Sequence, residues 1–123
     1  IMSLSNDELL SNIKRQAKRL SKNINVPLRQ AQSHLAMSIY QCDSWNHLRD
    51  SLKSDALDNQ LLLLAALQPN SNVFLYKLLN ENLSNISSRI KESTQSDLTN
   101  NELRKIIINL FGIELADFKS KIK

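Results

Sequence analysis

A single glycine has to serve a chain of 123 residues, and only two prolines and one cysteine accompany it. Tight two-residue hairpins lean on glycine, and phosphate-cradling loops and dinucleotide-binding turns need several at fixed spacing, so none of these can be built here. The lone cysteine, Cys42, argues against a disulfide framework and fits a reducing compartment, which makes the cytoplasm the expected location. Long apolar runs are missing too. The longest, "LLLLAAL" from Leu61 to Leu67, falls far short of the roughly 20 residues that a membrane-spanning helix needs. No secretory or targeting pattern is read at the start, where Ile1 precedes Met2 and is set aside.

What is present points to helices. A hydrophobic content of 41% over this length supplies one globular core, so residues 2–123 are expected to form a single domain. The formal charge of +4 favours anionic partners without being dense enough to demand nucleic acid. Apolar residues recur at spacings of three and four, which keeps side chains on one face of a helix. The expected fold is all-α: a compact bundle of about six to seven short helices with no sheet.

Ser5 or Asn6 can cap a first helix running to about Lys22, with Asp7 and Glu8 in its first turn. Pro27 suits the first position of a second helix carrying Leu28, Ala31, Leu35 and Ile39 on one stripe. Asp43 or Ser44 can cap a third with Trp45, Leu48 and Leu52, and a fourth is expected from about Ala56 to Gln68, closed by Pro69. A fifth runs from about Val73 to near Lys91, followed by a flexible link over Lys91 to Asp97. Thr99 and Glu102 spell a capping box before Leu103, Ile106, Ile107, Leu110 and Phe111. Gly112 stands where a helix ends with a left-handed residue, and Leu115, Phe118 and Ile122 mark a last helix. Residues 99–123 are therefore a candidate for a separately docked helix pair.

The stretch "IKRQAKRLSKN", Ile13 to Asn23, packs five cations into eleven positions. At about 100° per residue, Leu9, Leu10, Ile13, Ala17 and Leu20 fall within roughly 100° of arc, while Lys14, Arg15, Lys18, Arg19 and Lys22 occupy roughly 140° opposite. These five are the candidate anion-binding residues, with Arg29, Arg49 and Lys53 as possible extensions of the patch. Lys14, Lys18 and Lys22 repel one another at the i, i+4 spacing, and Asp7 and Glu8 lie too far back to neutralise most of the strip. A strip that strains its own helix points outward to an anion. The plainer reading is a solvated face whose long stems cover apolar neighbours.

From Gln30 to Leu52, two helices joined around "QCD" could also form a helix-turn-helix offering Ser44, Asn46, Arg49 and Lys53 to a DNA groove. The detailed match is poor. With Ala36 at the small position, Tyr40 falls where glycine is usual and Asn46 where an apolar residue is needed.

Within residues 13–52, "QAKRLSKN", "QAQSHLAMSIY" and "SWNHL" carry a packing pattern built on Ala17, Lys18, Leu20, Ala31, Leu35, Ala36, Trp45 and Leu48. This third of the chain resembles the glyoxalase-related protein N-terminal domain, a small helical module of plasmid- and mobile-element-encoded bacterial proteins. The pattern departs at "YQCDSW", where that module tends to have a glycine-aromatic pair before the tryptophan. The resemblance implies a mobile-element protein of unassigned role, and it implies no glyoxalase activity.

Catalysis finds little support. His34, Cys42 and His47 are the soft ligands, and their H-x7-C-x4-H spacing matches no standard zinc site. Cys42 reads as packing material rather than a nucleophile, Asp43 as a helix cap, and Trp45, Tyr40, Phe74 and Tyr76 as core. No enzyme, cofactor, metal or small-molecule substrate is expected. The four leucines Leu61, Leu62, Leu63 and Leu64 wrap more than one face of a helix, so they are either central to the fold or covered by another chain, a homodimer included. The sequence thus supports a non-catalytic binding or assembly module with a protein partner, a second copy among them. The alternative is a nucleic-acid-associated accessory protein touching phosphate backbone.

Overall fold

The computed structural model describes residues 5–53, 60–69 and 71–122, and among them there is helix and no strand. In chain order the α-helices are α1 (Asn6–Ile24), α2 (Leu28–His34), α3 (Trp45–Lys53), α4 (Val73–Thr94), α5 (Asn100–Leu110) and α6 (Leu115–Lys121). A π-helical turn, Leu35–Ile39, continues α2, and a 3₁₀-helix, Gln60–Ala66, precedes α4. Their buried apolar side chains form one cluster, to which α5 and α6 contribute Leu103, Ile107 and Phe118. The C-terminal pair is therefore part of the common core. No helix among the described residues is long and apolar enough to cross a membrane.

Local chemistry sets the helix ends. Ser5 and Glu8 close a reciprocal capping box on α1, the Glu8 amide donating to Ser5 Oγ at 3.2 Å. At its other end Asn25 turns left-handed (φ 56°), a conformation asparagine tolerates, and the Val26 amide closes on the Ser21 carbonyl at 3.1 Å. Thr99 and Glu102 repeat the box on α5. Ser44, not Asp43, caps α3 by accepting from the His47 amide at 3.1 Å.

Four expectations need correction. Pro27 stands just before the first helical residue of α2, and its carbonyl accepts from the Ala31 amide at 3.0 Å. α4 continues through Thr94 to a left-handed Gln95 (φ 51°), so it absorbs half of the link expected from Lys91 to Asp97. Phe74 is 53% exposed rather than core. The expected helix from Ala56 to Gln68 is a 3₁₀-helix where it is described, and its first residues lie outside the described ones.

That 3₁₀ segment is long for its kind, since its hydrogen bonds are poorly aligned and runs beyond about four residues are uncommon. Neighbouring side chains compensate. Asn12 Nδ2 donates to the Ala65 carbonyl at 3.0 Å, and Gln16 Nε2 reaches the Leu64 carbonyl at 3.5 Å. Gln16 Oε1 in turn accepts from the hydroxyl of Tyr40, just past the π turn, at 2.7 Å, so the buried Tyr40 backs the two α1 amides that hold the leucine-rich segment. Its leucines point inward as a result. Leu61, Leu62 and Leu64 are buried by this chain itself, and Leu63 is partly covered, so the run is central to the fold.

Candidate anion-binding face

α1 is the helix on which the candidate site is built. Ile13, Ala17 and Leu20 are fully buried, and the amides Asn12 and Gln16 are buried beside them. With that side fixed, the 3.6-residue period leaves Lys14, Arg15, Lys18 and Lys22 exposed. These four share the outward side of the helix over a length of about 12 Å at 1.5 Å per residue.

Arg19 departs from the strip. It is half-buried, and its Nη1 donates to the Leu110 carbonyl at 3.2 Å, at the C-terminal end of α5. A cation there satisfies an orphan carbonyl and meets the negative end of the helix dipole. Gly112 makes the approach possible. Its φ of +81° suits glycine, and a Cβ at that position would lie 3.0 Å from Arg19 Nη1. Arg15 folds back onto Asn12 Oδ1, which also accepts from Gln68 Nε2 at 2.7 Å.

Among the described residues, carboxylates do not neutralise the face. The one approach of a basic side chain to a carboxylate within 4.0 Å among them is His47 Nδ1 to Asp43, at 3.9 Å, and none of the five α1 cations has such a partner.

The remaining candidates are scattered. Arg49 and Lys53 sit on α3, where Arg49 is half-buried and donates to Asn46 Oδ1. Arg29 lines a separate hollow with His34 and Ser93. Sequence reasoning missed two contributors near α1. Gln68 joins Arg15 and Arg19 around a small cleft, and Lys105 of α5 shares a hollow with Asn23, whose amide donates to Asn109 Oδ1 at 3.1 Å. Both depend on contacts between segments far apart in the chain, so no local spacing announces them.

The soft ligands also go separate ways. His34 Nδ1 lies 2.7 Å from Ser93 Oγ, and burial lowers its pKa below the ordinary histidine value. His47 Nδ1 accepts from the Asp43 amide at 2.9 Å. Cys42 is buried, its thiol pushed up by that burial, and it faces the Tyr40 carbonyl. A raised thiol pKa leaves little thiolate at neutral pH. No protein-family model, curated protein or solved structure matches the chain.

Proposed function

We propose that this protein is a non-catalytic helical binding module that holds a polyanion, the phosphate backbone of duplex nucleic acid, against the outward face of α1. The observation that carries this reading is the set of exposed cations Lys14, Arg15, Lys18 and Lys22 with no carboxylate partner among the described residues. Duplex DNA carries one charge per roughly 1.7 Å of axis counted over both strands, so ~12 Å of helix runs beside about seven phosphates in all, enough to supply four contacts.

A protein partner fits this face less well. Stable protein interfaces centre on buried apolar anchors, whereas the large exposed apolar residues, Leu28, Met37, Val73 and Phe74, lie outside α1. The resemblance of residues 13–52 to a mobile-element module accords with an accessory role in a bacterial cytoplasm.

The test is the anisotropy of a labelled duplex of arbitrary sequence titrated with protein. Four phosphate contacts give a log-log salt slope of about −3.6, hence roughly 100-fold weaker binding at 200 mM than at 50 mM salt. Replacing Lys14, Arg15, Lys18 and Lys22 by glutamine should abolish binding at both. No binding at 50 mM salt, or binding that survives the four substitutions, overturns the proposal.

A second reading, association with protein or with another copy, rests on Val73 and Phe74, adjacent and about half exposed at the start of α4. Light scattering decides it for self-association: a mass above the 14.1 kDa monomer that Phe74→Ser returns to monomer supports it, and a monomer throughout removes it.

A further inference from the structure

The four exposed cations of α1 treat any phosphate alike, but Arg15 and Arg19 also flank a cleft of about 140 Å³ where α1 passes the end of the 3₁₀ segment. Gln68 lines it with them, and Leu67 and Phe111 add apolar surface. Among the described residues, no acidic one lines this cleft. We infer that it is a seat for one oxyanion, a phosphate group held between the two guanidinium groups.

Three features favour an anion there. Arg15 and Arg19 are one helical turn apart, so their charges repel unless something negative sits between them. Arg19 is fixed in advance by the Leu110 carbonyl, which uses Nη1 and leaves Nε and Nη2 without a protein partner, and a donor already held in place loses little freedom on binding. The Asn12 oxygen, which would repel an anion, is occupied by Gln68 and Arg15. Planar guanidinium forks match the oxygens of a phosphate better than lysine does.

The cleft is small, with about 140 Å³ of space, which is room for a phosphate group. The phosphate can belong to a nucleic-acid backbone, in which case this inference rests on the proposed function and gives α1 a register on the strand. It can also belong to a small phosphorylated compound.

The experiment follows backbone amide and arginine side-chain NMR signals of the whole chain during titration with inorganic phosphate, with sodium chloride at matched ionic strength as the reference. Saturable shifts confined to Arg15, Arg19, Gln68 and Gly112 are expected. Arg15→Gln should weaken them at least about tenfold, as the loss of a charge-assisted partner implies. Lys14→Gln and Lys22→Gln should leave them unchanged. Arg15 is chosen because it is exposed, so its loss spares the core, whereas Arg19→Gln also removes the contact to α5. Shifts that fail to saturate, or that follow Lys14 and Lys22 as strongly as Arg15, overturn the inference.

A duplex titration of the same sample separates this inference from the wider one. Duplex binding without a saturable phosphate site refutes the cleft and leaves the α1 face standing. A phosphate site without duplex binding supports the cleft, assigns it to a small phosphorylated ligand and removes the nucleic acid.

Discussion

Replacing Tyr40 by phenylalanine removes one oxygen from the core and should cost far more than its size indicates. The Tyr40 hydroxyl donates to Gln16 Oε1 at 2.7 Å, and both side chains are at most 1% exposed. Without that donor, the Gln16 oxygen is left buried with no hydrogen bond, a penalty of about 1–3 kcal/mol. For a domain of this size, each kcal/mol lowers the melting temperature by roughly 4 °C, so Tyr40→Phe should melt about 4–12 °C lower. Urea denaturation followed by far-ultraviolet circular dichroism would show a lower midpoint at an unchanged slope. The partner substitution tests the cause. Combining Tyr40→Phe with Gln16→Met replaces both polar groups by apolar ones, so the double variant should be more stable than the sum of the single losses predicts, by about 0.5 kcal/mol or more. The bond from Gln16 to the Leu64 carbonyl is long at 3.5 Å, so its loss adds little. Burial also raises the Tyr40 phenol well above its ordinary pKa, although the bond to Gln16 pulls the other way, and it should stay neutral as long as the fold survives. A change below about 0.5 kcal/mol in Tyr40→Phe would refute the idea that this network anchors the leucine segment.

Leu64→Ala empties a fully buried site and should cost about 2–5 kcal/mol in the same assay, whereas Phe74→Ala, at a half-exposed site, should stay within about 0.5 kcal/mol. Gly112→Ala forces a left-handed alanine against the Arg19 guanidinium, so a loss of about 1–2 kcal/mol is expected, part of it recovered when Arg19 is also alanine. His34 has a lowered pKa in the fold, so the unfolded chain binds more protons between the two values. Stability should therefore hold above the unfolded value of about 6.5 and fall as pH drops below it, and His34→Gln should remove that fall. Glu102, held below its ordinary pKa by its bonds to Thr99, loses its contribution at lower pH, as the solution falls through the carboxylate range.

Much of this architecture is local and could be read from neighbouring residues. The boxes Ser5 to Glu8 and Thr99 to Glu102 satisfy amides within one turn, so three residues of spacing reveal them. Gly112 announces its left-handed turn because other residues adopt it at a cost. The buried side of α1 follows from its period alone, and so does the exposure of Lys14, Lys18 and Lys22. The leucine run was different. Two of its carbonyls are met by the side-chain amides of Asn12 and Gln16, about fifty residues away, so its surroundings are not written in its own spacing. Arg19 likewise belongs to the strip by spacing and to α5 by contact, because the Leu110 carbonyl lies 91 residues further along the chain. Gln41 at φ 54° turns the chain after the π segment without the glycine that such a turn favours, so nothing in its identity marks the place. The cleft between Arg15, Arg19 and Gln68 exists only once those long contacts form.

The most direct measurement is the salt dependence of duplex binding for the native chain beside Lys14→Gln/Lys18→Gln. A native slope of about −3.6 on the log-log plot should shrink to about −1.8, since each phosphate contact removed subtracts ~0.9. Equal slopes for the two proteins, or affinities that salt does not change, would contradict the claim that α1 turns its unpaired cations to a phosphate backbone.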